Sequence, residues 1–306
     1  MKFKFLLSSL FLLALSQISA QGDLRIGQWS EHLPYNGGST VTQSPTRVYY
    51  GTEFALISIL KSDTSQVEFF SKVDGLSDVA PSWIRYHHAL KTLIIGYKNG
   101  NIDLLDTNGI TNINDLLQST SIQGDKSFRH IYTNDGPVAY FSTSFGLVLL
   151  NLETGKFTST IFTSSPVNGF TIFQDRFYVA TEKGVYTYNP TSGNIIEDFS
   201  QWEKIPIPGL NPDYISESIA VFKGILYAGG NGELYRMDQD DFIPWYARDG
   251  FTLRYLSPEG SHLMAGFSCD NQCVGKVFFF TEHAFGHENG LDCAARLCLR
   301  SGHEGS

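Results

Sequence analysis

Trp83, Arg85, Tyr86, His87 and His88 bring a cation, two imidazoles and two aromatic rings into one short stretch. On a strand that lines a cleft, a guanidinium and an imidazole can hold an anionic sugar or a phosphate through charge-assisted hydrogen bonds. Arg85 and His87 are the candidate ligand-binding residues on this reading; the structural alternative is that the histidines cap a turn. Other chemistry-bearing groups are less well arranged. His283 and His287 stand four apart with Glu288 adjacent, but the order is not that of a zinc protease and no helix is expected there. Glu203, Asp240 and Asp241 could cleave a glycosidic bond only if distant segments brought a pair of them together, and they read as solvated loop charges. No G-x-S-x-G, H-E-x-x-H or phosphate-binding Walker loop occurs, and Gly229-Gly230-Asn231-Gly232 reads as a turn needing positive φ. No catalytic residue, metal ligand or cofactor is expected.

The four cysteines, Cys269, Cys273, Cys293 and Cys298, all fall near the end of the chain. Cys269 and Cys273 bracket the turn Asp270-Asn271-Gln272, where two antiparallel strands would bring them close enough for a disulfide. A zinc site built from Cys293 and Cys298 with His283, His287 or His303 lacks the usual ligand spacing.

The elements that must position these residues are repeated. A short apolar strand, a small-residue turn and a second apolar strand recur six times, as in LIIGYKNGNIDLLD (93–106), FYVATEKGVYTYN (177–189) and LYAGGNGELYRMD (226–238). The polar residues closing the first five copies, Asp63, Asp106, Asn151, Asn189 and Asp238, lie 43, 45, 38 and 49 residues apart. Such a period in an all-strand pattern predicts a β-propeller with one four-stranded antiparallel blade per repeat. Each blade reads strand, turn, strand, tight turn, strand, turn, strand. In the second copy Ser82 to His87 is the expected inner strand, which puts Arg85 and His87 on the wall of the central channel. A β-sandwich does not predict this period, and only Asn112 to Ser119 could form a helical turn.

The expected architecture is therefore all-β, with about six blades of a seven-bladed ring and a ring left incomplete at the C-terminus. Residues 1–20 have the basic start, apolar run and small-residue cleavage site of a signal peptide, residues 21–282 form the propeller, and 283–306 form an irregular tail. The tail abandons the repeat, as a truncation, a frameshift or an ordinary disordered terminus would. An exported protein is expected, with no transmembrane segment in the mature chain. The formal charge of −9 disfavours a nucleic-acid partner, because phosphate backbones demand a basic face.

The segment VDGLSDVAPSWIRYHHALKTLIIGYKNGNIDLLD (73–106) resembles the repeat of the two-component regulator propellers, and DGFTLRYLSPEGSHLMAGF (249–267) is similar to it more loosely. Together with the opening GQWSEHLPYNGG (27–38), these copies resemble the N-terminal propeller of the PorZ family of the bacterial type IX secretion system. The resemblance implies a non-enzymatic scaffold at the outer-membrane surface, held there by a sortase-like protease, a barrel anchor and a linker protein. It also implies binding of an anionic lipopolysaccharide and its presentation to the sortase for joining to cargo. The second propeller and sorting domain of that family have no counterpart here. Two other readings are a periplasmic ligand-sensing propeller of a hybrid two-component sensor and a propeller carbohydrate-active enzyme.

Overall fold

The strand TLIIGY at Thr92–Tyr97 is buried at every position, which requires that both of its faces be covered. A strand in the middle of a sheet meets this condition when the sheet is packed between two others. The computed structural model describes residues 37–269, 276–280 and 291–292. The signal segment 1–20, residues 27–36 of the opening, and Cys273, Cys293, Cys298, His283, His287 and His303 of the C-terminal region lie outside these residues.

The described strands make six four-stranded antiparallel sheets, each in simple chain order from its first strand to its fourth. Blade 1 is β1 Gly38–Gln43, β2 Arg47–Thr52, β3 Leu56–Leu60 and β4 Val67–Phe70. Blade 2 is β5 Pro81–His87, β6 Thr92–Tyr97, β7 Ile102–Asp106 and β8 Gly109–Ile113, followed by the single-turn helix α1 Asp115–Gln118. Blade 3 is β9 Phe128–Thr133, β10 Val138–Thr143, β11 Gly146–Asn151 and β12 Lys156–Phe162. Blade 4 is β13 Val167–Phe173, β14 Arg176–Thr181, β15 Gly184–Tyr188 and the short β16 Glu203–Ile205. Blade 5 is β17 Ile219–Phe222, β18 Ile225–Gly230, β19 Glu233–Asp238 and β20 Asp241–Tyr246. Blade 6 is β21 Thr252–Glu259, β22 His262–Ser268, β23 Lys276–Phe280 and β24 Leu291–Asp292.

Of the residues that marked the period in the sequence, Asp106, Asn151 and Asp238 end the third strands of their blades, Asp63 and Asn189 follow theirs, and four of the five turn the chain by the same device. The side chains of Asp63, Asp106, Asn151 and Asn189 each accept the backbone N–H two residues on, at 2.7 to 3.1 Å. Asp238 closes a two-residue hairpin to Asp241, with Gln239 at φ 55°. On the opposite edge, Thr52, Thr143 and Thr181 bridge the hairpins between second and third strands. Their hydroxyls donate to the carbonyls of Ala55, Gly146 and Gly184 at 2.7 to 3.0 Å and are wholly buried.

The core is divided into five apolar clusters, and each lies between consecutive blades. Alternate residues of one strand serve two of them. In β6, Leu93 and Ile95 face blade 1 while Ile94 faces blade 3. In β10, Ala139 and Phe141 pack toward blade 2 and Tyr140 toward blade 4, where its ring stacks on Phe170 at 4.4 Å. Among the described residues no such cluster joins blade 6 to blade 1. Val41 in β1 is 59% exposed and Tyr255 in β21 is 40% exposed, so among the described residues no apolar packing closes the ring at that junction.

Candidate functional site

The first strands of the sheets pack side by side in the order β1, β5, β9, β13, β17, β21 and form the wall around the axis. Side-chain hydroxyls tie neighbours together here. Thr40 accepts from the Ile84 N–H and Thr42 from the Tyr86 N–H, and Ser218 does the same for Leu256, each at 3.1 Å. Five of these strands, all but β17, carry a bulge one or two residues after the start of pairing, at Ser39, Ser82, Arg129, Asn168 and Arg254. A bulge re-aims a side chain and tightens the local twist. Arg129 uses its position to reach Asn168 at 2.8 Å and Glu182 at 3.0 Å in blade 4, and Asn168 donates to the Ser216 carbonyl of blade 5 at 2.9 Å.

Arg85 and His87, the two sequence candidates, both lie on β5, and the fold treats them differently. His87 is wholly buried. Its Nδ1 accepts the Leu90 N–H at 3.1 Å, and its Nε2–H donates to the Gly136 carbonyl at 2.8 Å. The ring therefore caps the turn after β5 and fastens blade 2 to the β9–β10 turn of blade 3. His88 is exposed and packs edge-on against Tyr86, with ring centroids 5.2 Å apart.

Arg85 shares a face of β5 with Trp83, as residues two apart in a strand must. Trp83 packs toward blade 3, where its ring meets the His130 ring edge-on at 5.4 Å. Burial lowers the Arg85 pKa, opposed by the Glu259 charge and by Tyr132. Arginine keeps its proton through such shifts, so the group remains a cation. No hydrogen bond or ion pair to a described residue engages the guanidinium. Three other arginines are differently placed: Arg47, Arg129 and Arg176 hold Glu68, Glu182 and Glu203 at 2.6, 3.0 and 2.8 Å.

His130 and Tyr132 of β9 complete this part of the wall. Burial, reinforced by the neighbouring Arg85 charge, pushes the His130 pKa down to about 3, so the ring is uncharged at neutral pH. Its Nδ1 is sealed from solvent without a hydrogen-bond partner. Burial raises the Tyr132 pKa, against hydrogen bonds from Ile172 and Thr171 and the Arg85 charge, which lower it. Glu259, from the end of β21, accepts a hydrogen bond from Gln43 at 3.2 Å, and Gln43 in turn accepts from Lys61 at 2.7 Å. The wall thus combines one unengaged cation, one neutral imidazole and two aromatic rings with a carboxylate farther round.

The carboxylates read from the sequence do not converge. Glu203 pairs with Arg176 at the outer edge of blade 4, and Asp240 and Asp241 sit in the β19–β20 hairpin of blade 5. Two buried acids went unremarked in the sequence. Asp103 in β7 accepts from the Tyr97 hydroxyl, the Ser77 N–H and the Asn112 amide at 2.7 to 2.9 Å, which makes it a filled structural hub. Glu217, in the irregular stretch before β17, has one oxygen sealed without a partner, and burial pushes its pKa up to about 7. Cys269 is disulfide-bonded; since Cys273 lies outside the described residues, their pairing stays an expectation. Among the described residues no helix is long and apolar enough to cross a membrane.

A family model described as the N-terminal β-propeller domain of PorZ, of the type IX secretion system, matches residues 48–203. These run from β2 of blade 1 through blades 2 and 3 to the start of β16 in blade 4. Among solved structures, the chain is similar to PorZ of Porphyromonas gingivalis, an essential bacterial surface component of that system, with TM-score 0.67 and 20% identity. The likeness covers 83% of this chain and 34% of that one, so the chain spans about a third of its length. The extracellular domain of a one-component system from B. thetaiotaomicron is similar at TM-score 0.58 and 15% identity, over 80% of this chain and 35% of that chain. The computationally designed Ika8 protein is similar at TM-score 0.53 and 13% identity, over 82% of this chain and 73% of its own. At these identities the structures speak for the propeller fold. No curated protein matches the chain.

Proposed function

The chain belongs to the family of PorZ N-terminal β-propeller domains of the type IX secretion system, and from that premise we propose that it is a non-enzymatic binding and scaffold propeller of the attachment complex. In this role it presents an anionic lipopolysaccharide to a sortase-like protein, which joins it to secreted cargo, and it is held at the outer-membrane surface through a barrel component. The observation that carries this reading is the family match, which runs through consecutive blades and not through one isolated repeat. The scattered carboxylates support a binding role over glycoside cleavage, since that chemistry needs two acids facing one bond. The sensor reading draws on a likeness of fold alone.

The test is affinity capture of the full-length tagged protein from outer-membrane extracts, followed by identification of its partners. Recovery of a sortase-like protease together with a barrel protein is the expected result. Extracts that contain both proteins yet release neither with the bait would overturn the proposal.

A further inference from the structure

We propose that the channel wall between blades 2 and 3 is a binding site for an oxyanion, a carboxylate or phosphate borne on a small hydroxylated molecule, with Arg85 as its counter-cation. The inference deepens the reading above, because it places the charge of an anionic ligand at one residue, but it does not depend on the secretion complex.

The half-buried Arg85 guanidinium carries five donors, and none of its nitrogens is sealed away, so an external acceptor can reach them. Nothing described in the protein spends them. Arg47, Arg129 and Arg176 mark the contrast, since each holds a carboxylate within 3.0 Å. The planar fork of arginine matches the paired oxygens of a carboxylate or phosphate, which is the chemistry such a group recognises. The surroundings suit the same guest. Trp83 and Tyr132 give the wall aromatic faces, and the His130 ring adds bulk and polarity without a competing charge at neutral pH.

Glu259 makes the proposal sharp. Among the described residues it is the carboxylate whose charge acts on Arg85, yet no ion pair joins them, and its own hydrogen bond comes from Gln43. If Arg85 serves only to balance Glu259, removing that carboxylate should loosen the protein and create no binding. If Arg85 awaits an external anion, Glu259 repels the guest, and removing it should tighten binding.

The experiment is calorimetric titration of the full chain with glucuronate, glucose 6-phosphate, inorganic phosphate and glucose at neutral pH. Either hydroxylated anion should bind while glucose does not, and comparison with inorganic phosphate separates recognition of the carrier from recognition of the bare ion. Arg85→Gln should weaken binding by about tenfold or more, and Glu259→Gln should strengthen it severalfold. Arg85→Lys, which keeps the charge and loses the fork, should fall between. Thermal melts of each variant keep folding separate from binding; should Arg85→Gln fail to fold, Glu259→Gln alone decides. Equal binding by Arg85→Gln and the parent, binding weakened by Glu259→Gln, or no binding of any anion would overturn the proposal. Loss of anion binding with undisturbed capture of the sortase-like partner would sink this site and leave the scaffold role standing.

Discussion

His87 and Arg85 sit two residues apart on one strand, and one is consumed by the fold while the other is left over. Sequence placed both on an inner strand, but a histidine at a strand end can bind a ligand or cap a turn with the same neighbours in sequence. Only the approach of the Gly136 carbonyl from blade 3 decides for the second use. Glu217 was illegible for a related reason, since its burial comes from Gly229 and the following blade and not from adjacent residues. It makes a prediction of its own. Burial raises its pKa from near 4.5 to about 7, so the folded state holds the proton more tightly than the unfolded chain does. The stability this contributes is full below about 4.5 and is lost as pH rises through about 7. Glu217→Gln should therefore resist urea better than the parent at pH 8, by about 1–3 kcal/mol, and differ little from it at pH 4. Urea midpoints across that range check this; a constant difference at all pH values would refute it.

Strand and turn units were the most legible level. Four of the five residues that gave the period do so because each caps the turn after a third strand with its side chain, which Asp and Asn do readily. β5 begins one residue ahead of the expected inner strand Ser82 to His87, and α1 falls within the stretch marked as a helical turn. Two elements escaped. β1 reads GSTVTQ, with no apolar alternation, because its threonines bond the backbone of the next blade and do not fill a core. β16 is three residues long and follows a 3-10 turn at Phe199–Gln201, so it carries too little pattern to detect. In β17 regular pairing starts only at Ile219, since the Ser216 hydroxyl takes the Gly229 carbonyl ahead of it. A glycine tests the hairpin geometry. A Cβ on Gly146 would stand 2.0 Å from the Ile161 carbonyl oxygen, at φ 154°, and backbone cannot yield as a side chain can. Gly146→Ala should cost about 3 kcal/mol or more, while Gly37→Ala, with open space around it, should stay within about 0.5 kcal/mol. Paired thermal melts of the two variants give the comparison, and equal midpoints would contradict it.

At the scale of the molecule the six-blade architecture and its unclosed ring were both readable, because period and strand chemistry are local properties repeated along the chain. The shared cores were not, because a strand apolar at every position does not say which residues face which neighbour. Each of blades 2 to 5 is clamped on both faces by apolar clusters, and blades 1 and 6 are each joined through one described cluster only. Local opening is cheapest where buried apolar contact is least. Amide hydrogen exchange should accordingly be slowest in β6, β10 and β14 and distinctly faster in β2 and β22, the corresponding second strands of blades 1 and 6. Uniform protection across all five strands would show that the junction is covered as well as the others.

The hydroxyls that Thr40, Thr42 and Ser218 offer across the blades have a consequence for how the protein behaves when concentrated. An edge strand with idle amides is a template on which a stray chain can add itself, the first step toward fibrils. Here those amides are answered by a threonine or serine from the blade before, at a point where no strand could be inserted. Replacing ladder partners by side chains keeps the inner edges of β5 and β21 silent toward foreign strands.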